Sequence, residues 1–282
     1  MSDIKFINDK DFKYSADIKK GLQSYNRSQA GYREKDYQHF YVFEDKELVG
    51  ACHTKMASDW CHIKRIYYQD LDVLKALMND INNYYRHKVE GIRVQTVLPK
   101  RVEDYKAMGF IEKGRLEDMP SGGENVFLLI TDFDQHEINN DYDSKFSNVP
   151  IKSYDKILKK ENKKIREKLN FSAEVVDIQY VVLDDDKFVG GIYGNFKYDY
   201  LFINILFVDK EYRGQSIASK LMDIIESEAV KRGVTNIYLT TFEFQALGFY
   251  KKRGYKLVMD IYDYPIGFKE FTVYKDMSSA DD

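Results

Sequence analysis

The chain reads as an α/β protein in which one fold is written twice, and three observations carry that expectation. The first is internal similarity. The stretch from Val42 lies beside the one from Val182, placing Lys46 on Asp186, Gly50 on Gly190 and Asp59-Trp60 on Asp199-Tyr200 at an offset of 140. Further on, GIRVQT from Gly91 meets NIYLTT from Asn236, and Tyr105 with Gly109-Phe110 meets Tyr250 with Gly254-Tyr255, at an offset of 145. The second observation is a pair of β-rich runs around a polar Asp-Asp-Asp-Lys turn, the pattern of a hairpin. The third is the nearly all-apolar run YLFINILFV, followed by an apolar stripe at helical spacing.

Each element follows from its residues. In the second repeat, strands are expected at 177–183 and 188–196, and the apolar run at 200–208 reads as a central strand, since both its faces want cover. A helix over about 215–232 presents Ile217, Leu221, Ile224, Ile225 and Ala229 on one stripe. Lys231 and Arg232 favour its last turn, and Gly233 suits the position after it. A strand at 235–241, a short helix near 243–253 and strands near 256–262 and 268–275 complete the repeat. The first repeat gives strands near 39–44, 48–56 and 60–68, a helix near 70–88, a strand at 91–98, a helix near 100–108 and a final strand pair. The polar stretch 132–148 and Pro150 mark a linker. The expected division is therefore a first domain at 1–135, a linker at 136–149 and a second domain at 150–282, opened by a helix over 152–170.

Composition narrows the function. The chain has 282 residues, 44% apolar and 15% aromatic, ample for packed cores in two domains. Basic and acidic residues number 22 and 25 up to residue 145 and 21 and 21 beyond it, so neither half carries the basic surplus that would hold a nucleic acid. There is no long apolar run to span a membrane, and the first residues lack the apolar core of a secretion signal. The two cysteines, Cys52 and Cys61, are too few for a disulfide framework, and a cytoplasmic setting is expected. Cys52-His53 and Cys61-His62 sit on expected strands, where neighbours point to opposite faces, so no metal is expected. The lysine-rich run 156–168 is interleaved with glutamate and apolar residues and reads as the wet face of a helix.

The chemistry concentrates where the central strand meets the following helix, at Leu206-Phe207-Val208 and Arg213-Gly214-Gln215-Ser216-Ile217-Ala218. A strand, a tight turn and a helix that starts in small residues bind phosphate through free backbone N–H groups and the helix dipole. Gly214 permits the turn, Ala218 permits close approach, and Arg213 adds a charge-assisted contact. The offset grows by five residues across this interval, so the first repeat lacks the loop. This succession, with FYKKRGYKL at 249–257, resembles the GCN5-related N-acetyltransferase (GNAT) superfamily. That family's loop runs Arg/Gln-x-x-Gly-x-Gly/Ala, and here Arg213 and Ala218 match while Ser216 stands where glycine is usual.

The resemblance implies two tandem GNAT-like domains, each a mixed, mostly antiparallel sheet flanked by helices, the first a degenerate copy. It implies acetyl-CoA as co-substrate, bound once per chain and held by Leu206 to Val208 and Arg213 to Ala218, with no metal. By the same resemblance Tyr250 is the general acid for the departing thiolate. The base is open: Glu243 and Asp199 are candidates, as is a relay of water, and the second half has no histidine. That half also has no cysteine, so direct attack in a ternary complex is expected. The expected acceptor is a primary amine of a small molecule such as an amino acid, a polyamine or an aminoglycoside-like compound. Alternatives are a protein or peptide N-acetyltransferase and an acyl-CoA-binding sensor without turnover. A tRNA-dependent transferase is disfavoured by the charge balance.

Overall fold

In a computed structural model, which describes residues 4–31, 35–131, 142–168 and 175–278, two seven-stranded sheets carry the chain. The strands are β1 (Ile4–Asn8), β2 (Asp36–Glu44), β3 (Glu47–Ala57), β4 (Trp60–Tyr68), β5 (Gly91–Thr96), β6 (Ile111–Glu117), β7 (Glu124–Ile130), β8 (Asp143–Ser147), β9 (Val176–Asp184), β10 (Lys187–Lys197), β11 (Tyr200–Val208), β12 (Asn236–Phe242), β13 (Lys256–Ile261) and β14 (Glu270–Asp276). The helices are α1 (Ser15–Ala30), α2 (Leu71–Tyr85), α3 (Pro99–Ala107), α4 (Lys152–Lys168), α5 (Ile217–Lys231) and α6 (Leu247–Lys252).

The repeat is present down to its turns. Asp45-Lys46 (φ 46° and 69°) and Asp185-Asp186 (φ 45° and 69°) close their hairpins with both turn residues left-handed, the geometry that matches strand twist. The β3–β4 and β10–β11 ladders each slip by one residue, at His53/Thr54 and Tyr193/Gly194. Both sheets are mixed, with one parallel pair each, β4 with β5 and β11 with β12.

The sheets do not follow the division of the chain. Their orders are β8-β2-β3-β4-β5-β7-β6 and β1-β9-β10-β11-β12-β14-β13. Thus β1 pairs with β9, Phe6 opposite Val182, and β8 pairs with β2, Phe40 opposite Phe146. Each half lends its leading strand and helix to the other half's sheet. The stretch expected as a linker contains β8, and α4, expected to open the second domain, packs on the first sheet through Leu158 against Tyr41 and Ala51. Conversely Ile18 of α1 is buried against Val181 and Leu183 of the second sheet.

Alternation along the strands sets the layers. Leu128 and Ile130 join the core beneath α2 and α3, whereas Phe127 and Leu129 join Tyr200, Tyr238, Met259 and Tyr264 in a core shared by the two sheets. Arg93 and Glu270 form an ion pair at 2.5 Å across this contact, with side chains only 12% and 6% exposed. Trp60 donates from its indole to the Asp263 carbonyl at 2.9 Å, and Tyr264 and His62 share a hydrogen bond at 2.8 Å. Gly114 lies where the edge strands β6 and β13 touch; a Cβ there would stand 2.9 Å from Met259 Cβ.

Candidate active site

The central cleft of the second sheet is made by two strands that part. β11 and β12 pair in parallel only as far as Ile203 opposite Leu239, and beyond it β11 keeps its ladder to β10 alone. A cleft of about 310 Å³ opens there, with Leu206, Phe207 and Val208 on one side and Thr240 and Thr241 on the other. An edge of unpaired strand along an apolar slot suits an extended chain with amide groups, which can add to the sheet.

At the end of β11, Asp209 caps a short 3-10 turn over Lys210–Tyr212 by accepting from Glu211 N–H at 3.1 Å. Gly214 (φ 79°) and Ser216 (φ 59°, ψ 14°) are both left-handed, and α5 starts at Ile217. Glycine takes this conformation freely, and a residue with a Cβ does so at a cost of about 1 kcal/mol. Serine at 216 is therefore a matter of backbone strain in this loop. The Ser216 side chain caps nothing, and the N–H groups of Gly214 to Ser219 donate to no group among the described residues. They lie with the positive end of the α5 dipole beside a hollow lined by Gly214, Ser216, Ala218 and Ser219, surroundings that favour negative charge. Arg213 donates from Nε to the Val208 carbonyl at 3.1 Å, and its guanidinium lies 4.7 Å from the Tyr25 ring centre.

Tyr250 sits on α6 and lines the cleft, 7% exposed, packed edge-on against Phe249 and Tyr255. Its hydroxyl makes no hydrogen bond among the described residues, and burial pushes its pKa up, so it holds its proton. The carboxylates lie elsewhere. Glu243 is exposed, and its Oε2 accepts from the Lys269 N–H at 3.2 Å while its own N–H donates to the Lys269 carbonyl at 2.8 Å, which fastens the β13–β14 loop. Asp199 stands at the opposite end of β11 from the cleft, where it accepts from Ser121 N–H at 2.7 Å. No carboxylate lines the cleft among the described residues.

Helix α1 supplies groups that sequence reasoning missed. Leu22 and Tyr25 line the cleft, and the Tyr25 hydroxyl donates to the Phe244 carbonyl at 2.8 Å. Gln245 accepts from Phe242 N–H and the Thr241 hydroxyl and donates to Asn26 at 2.8 Å, tying the end of β12 to α1. The one signal for them was an extension of the repeat: Ile4–Asn8 corresponds to Asp143–Ser147, ahead of the aligned segments. The cysteine–histidine pairs are split as alternation requires: Cys52 and Cys61 are buried toward α2, while His53 meets His39 and Asp155, and His62 meets Tyr264.

The sequence pattern of the Acetyltransferase (GNAT) family matches residues 137–255. A blasticidin-S acetyltransferase of Streptomyces morookaense is 31% identical over 99 residues, which are 35% of this chain and 73% of that protein. The chain belongs to the GNAT family of acetyltransferases. An acetyltransferase of Agrobacterium fabrum is 39% identical over 72 residues, 26% of this GNAT chain and 53% of that relative. A crystal structure of an acetyltransferase from Bacillus cereus, 29% identical, aligns with 46% of this chain and 95% of that one at a TM-score of 0.41. The acetyl donor of the GNAT family is acetyl-CoA. No described helix is long and apolar enough to cross a membrane.

Proposed function

We propose that this GNAT protein transfers the acetyl group of acetyl-CoA to a primary amine of a small molecule, at one cleft, between β11 and β12. The observation that carries the reading is the meeting at one mouth of the donor-rich Gly214–Ser219 loop, the unpaired edge of β11 and the unpartnered Tyr250 hydroxyl. The loop holds the diphosphate, and the edge from Leu206 to Val208 holds the pantetheine arm and directs a backbone N–H at the thioester oxygen. The neutral amine nitrogen bonds to the acetyl carbon, the carbon–sulfur bond breaks, Tyr250 gives its proton to the departing sulfur, and the proton shed by the new amide nitrogen restores the Tyr250 phenol.

With no carboxylate in the cleft among the described residues, the ammonium proton leaves through water near Thr240, Thr241 and Gln245. Glu243, outside the cleft, receives it only at the end of such a relay. Residues 150–282 carry these groups apart from α1, and residues 1–135 contribute a copy without the diphosphate loop. A small-molecule acceptor is supported by the name of the blasticidin-S relative. The test is release of CoA from acetyl-CoA across amino acids, polyamines, aminoglycosides and blasticidin S. Turnover only with peptides or protein N-termini would overturn the acceptor class, and tight binding of acetyl-CoA without turnover on any amine would overturn the activity.

A further inference from the structure

Arg213 stands where the two parts of the site meet. It lines both the cleft between β11 and β12 and the hollow beside the Gly214–Ser219 loop. Its Nε donates to the Val208 carbonyl at 3.1 Å, but its Nη1 and Nη2 groups donate to nothing among the described residues, and no described carboxylate pairs with it. The side chain is exposed. A long exposed side chain samples many rotamers, and ordering one on a ligand costs roughly two- to tenfold in affinity. Something must hold this guanidinium in place if the loop is to bind its anion well.

Tyr25 of α1 is placed to do so. Its ring centre lies 4.7 Å from the guanidinium carbon. The ring is itself fixed: its hydroxyl donates to the Phe244 carbonyl at 2.8 Å, and the next residue, Asn26, accepts from Gln245 at 2.8 Å. One turn back, α1 lies so close to β11 that a Cβ on Gly21 would stand 2.5 Å from the Phe207 ring. The kind of partner matters. A carboxylate would engage two N–H groups and cancel the charge, whereas an aromatic face attracts the cation and leaves the in-plane N–H groups directed outward. The first repeat supplies an internal comparison. Ile18 and Leu158 fill equivalent places, against Val181 and Tyr41 respectively, which sets Tyr25 on Ile165. That repeat lacks the interval containing Arg213, and its helix carries an aliphatic residue at this position.

We propose that Tyr25 is a positioning residue for CoA: its ring holds the Arg213 guanidinium at the loop, ready for the diphosphate. Helix α1, from the first half of the chain, thereby completes a binding site whose other parts lie on β11 and α5. The assignment rests on the reading of the Gly214–Ser219 loop as the diphosphate site.

The experiment is calorimetric titration of the full chain with CoA, which needs no turnover. Tyr25→Leu is expected to raise Kd about three- to tenfold, and Tyr25→Phe, which keeps the ring, by about twofold at most. Arg213→Gln alone is expected to raise Kd at least as far as Tyr25→Leu does. In the Arg213→Gln background, Tyr25→Leu is expected to shift Kd by less than about twofold, since the ring then has no guanidinium to hold. A tyrosine that only supports the fold would weaken both backgrounds by the same factor, and that result would overturn the proposal. So would an unchanged Kd in Tyr25→Leu or in Arg213→Gln, or a Tyr25→Phe as weak as Tyr25→Leu. Failure of the underlying reading looks different. An unmodified chain that binds no CoA overturns both, whereas the expected pattern without turnover on any amine supports Tyr25 and overturns only the acetyl transfer.

Discussion

Burial keeps the proton on Tyr250, and its hydroxyl has no partner among the described residues, which leaves it free to turn toward a group that enters the cleft. Tyr250→Phe removes one oxygen from a buried ring whose packing on Phe249 and Tyr255 is unchanged. It is expected to lower kcat by about 10²-fold with KM little altered, because the proton matters chiefly as the carbon–sulfur bond breaks. Steady-state kinetics on an accepted amine decide it, and an unchanged kcat removes Tyr250 from the reaction. Ser216 offers a converse experiment. Its left-handed backbone is strained with serine and free with glycine, so Ser216→Gly is expected to lower the KM for acetyl-CoA up to about threefold and to leave kcat alone. A raised KM would show that the serine hydroxyl itself holds the diphosphate. Sequence alone marked this position by its departure from the family pattern, but the cause, a positive φ, became visible only in the structure.

At the scale of elements, helix α1 decides how the cleft is covered. Its buried contact is Ile18, fully enclosed by Val181 and Leu183, with Gly191 so close that a Cβ there would stand 2.7 Å from Ile18 Cδ1. Ile18→Ala is expected to cost about 2–4 kcal/mol in urea unfolding and to raise the KM for the acceptor, since α1 carries Tyr25 and Asn26. A loss of stability with every kinetic constant unchanged would detach α1 from acceptor binding. Most elements were legible beforehand: the second repeat's hairpin, the central apolar strands and α5 lie within two residues of their expected ends, and β2 starts three residues earlier than expected. Periodicity is a local signal, and it served wherever an element packs on its sequence neighbours. It was silent on β1, α1 and β8. Their partners lie more than a hundred residues away along the chain, and β8, with four of its five residues exposed, has almost no apolar alternation to read. Two of the missed cleft residues, Leu22 and Tyr25, belong to that silent segment.

For the whole molecule, the telling groups are three histidines of the first repeat that burial keeps neutral. His53 is pushed down to about 4, first by burial and then by His39 beside it, while His39 and His62 are lowered mainly by burial. Each would titrate near 6.5 in the unfolded chain. Above that pH neither state binds the proton and nothing is lost. As pH falls from 6.5 toward 4 the unfolded state takes protons that the folded state refuses, so stability drops. The loss is at most about 1.4 kcal/mol per pH unit for each histidine, and less where water reaches the ring. Melting temperature measured from pH 7.5 to 4.5 is expected to fall steeply below 6.5, and less steeply in His53→Gln. An identical slope in that variant would clear His53 of a part in it.

The lending of β1 and α1 across the molecule also sets an order of events during synthesis. A ribosome delivers β1 well before its partner β9, which emerges some 170 residues later, and the free edge of β2 waits for β8. Until then the nascent chain displays an unpaired strand edge and the apolar face of a helix without a partner, the features through which chains stick to one another. Two copies caught at this stage can each accept the other's leading segment, since the same strand–helix unit fits either molecule. The interval in which such an exchange can begin is the one during which β1 and α1 wait for β9.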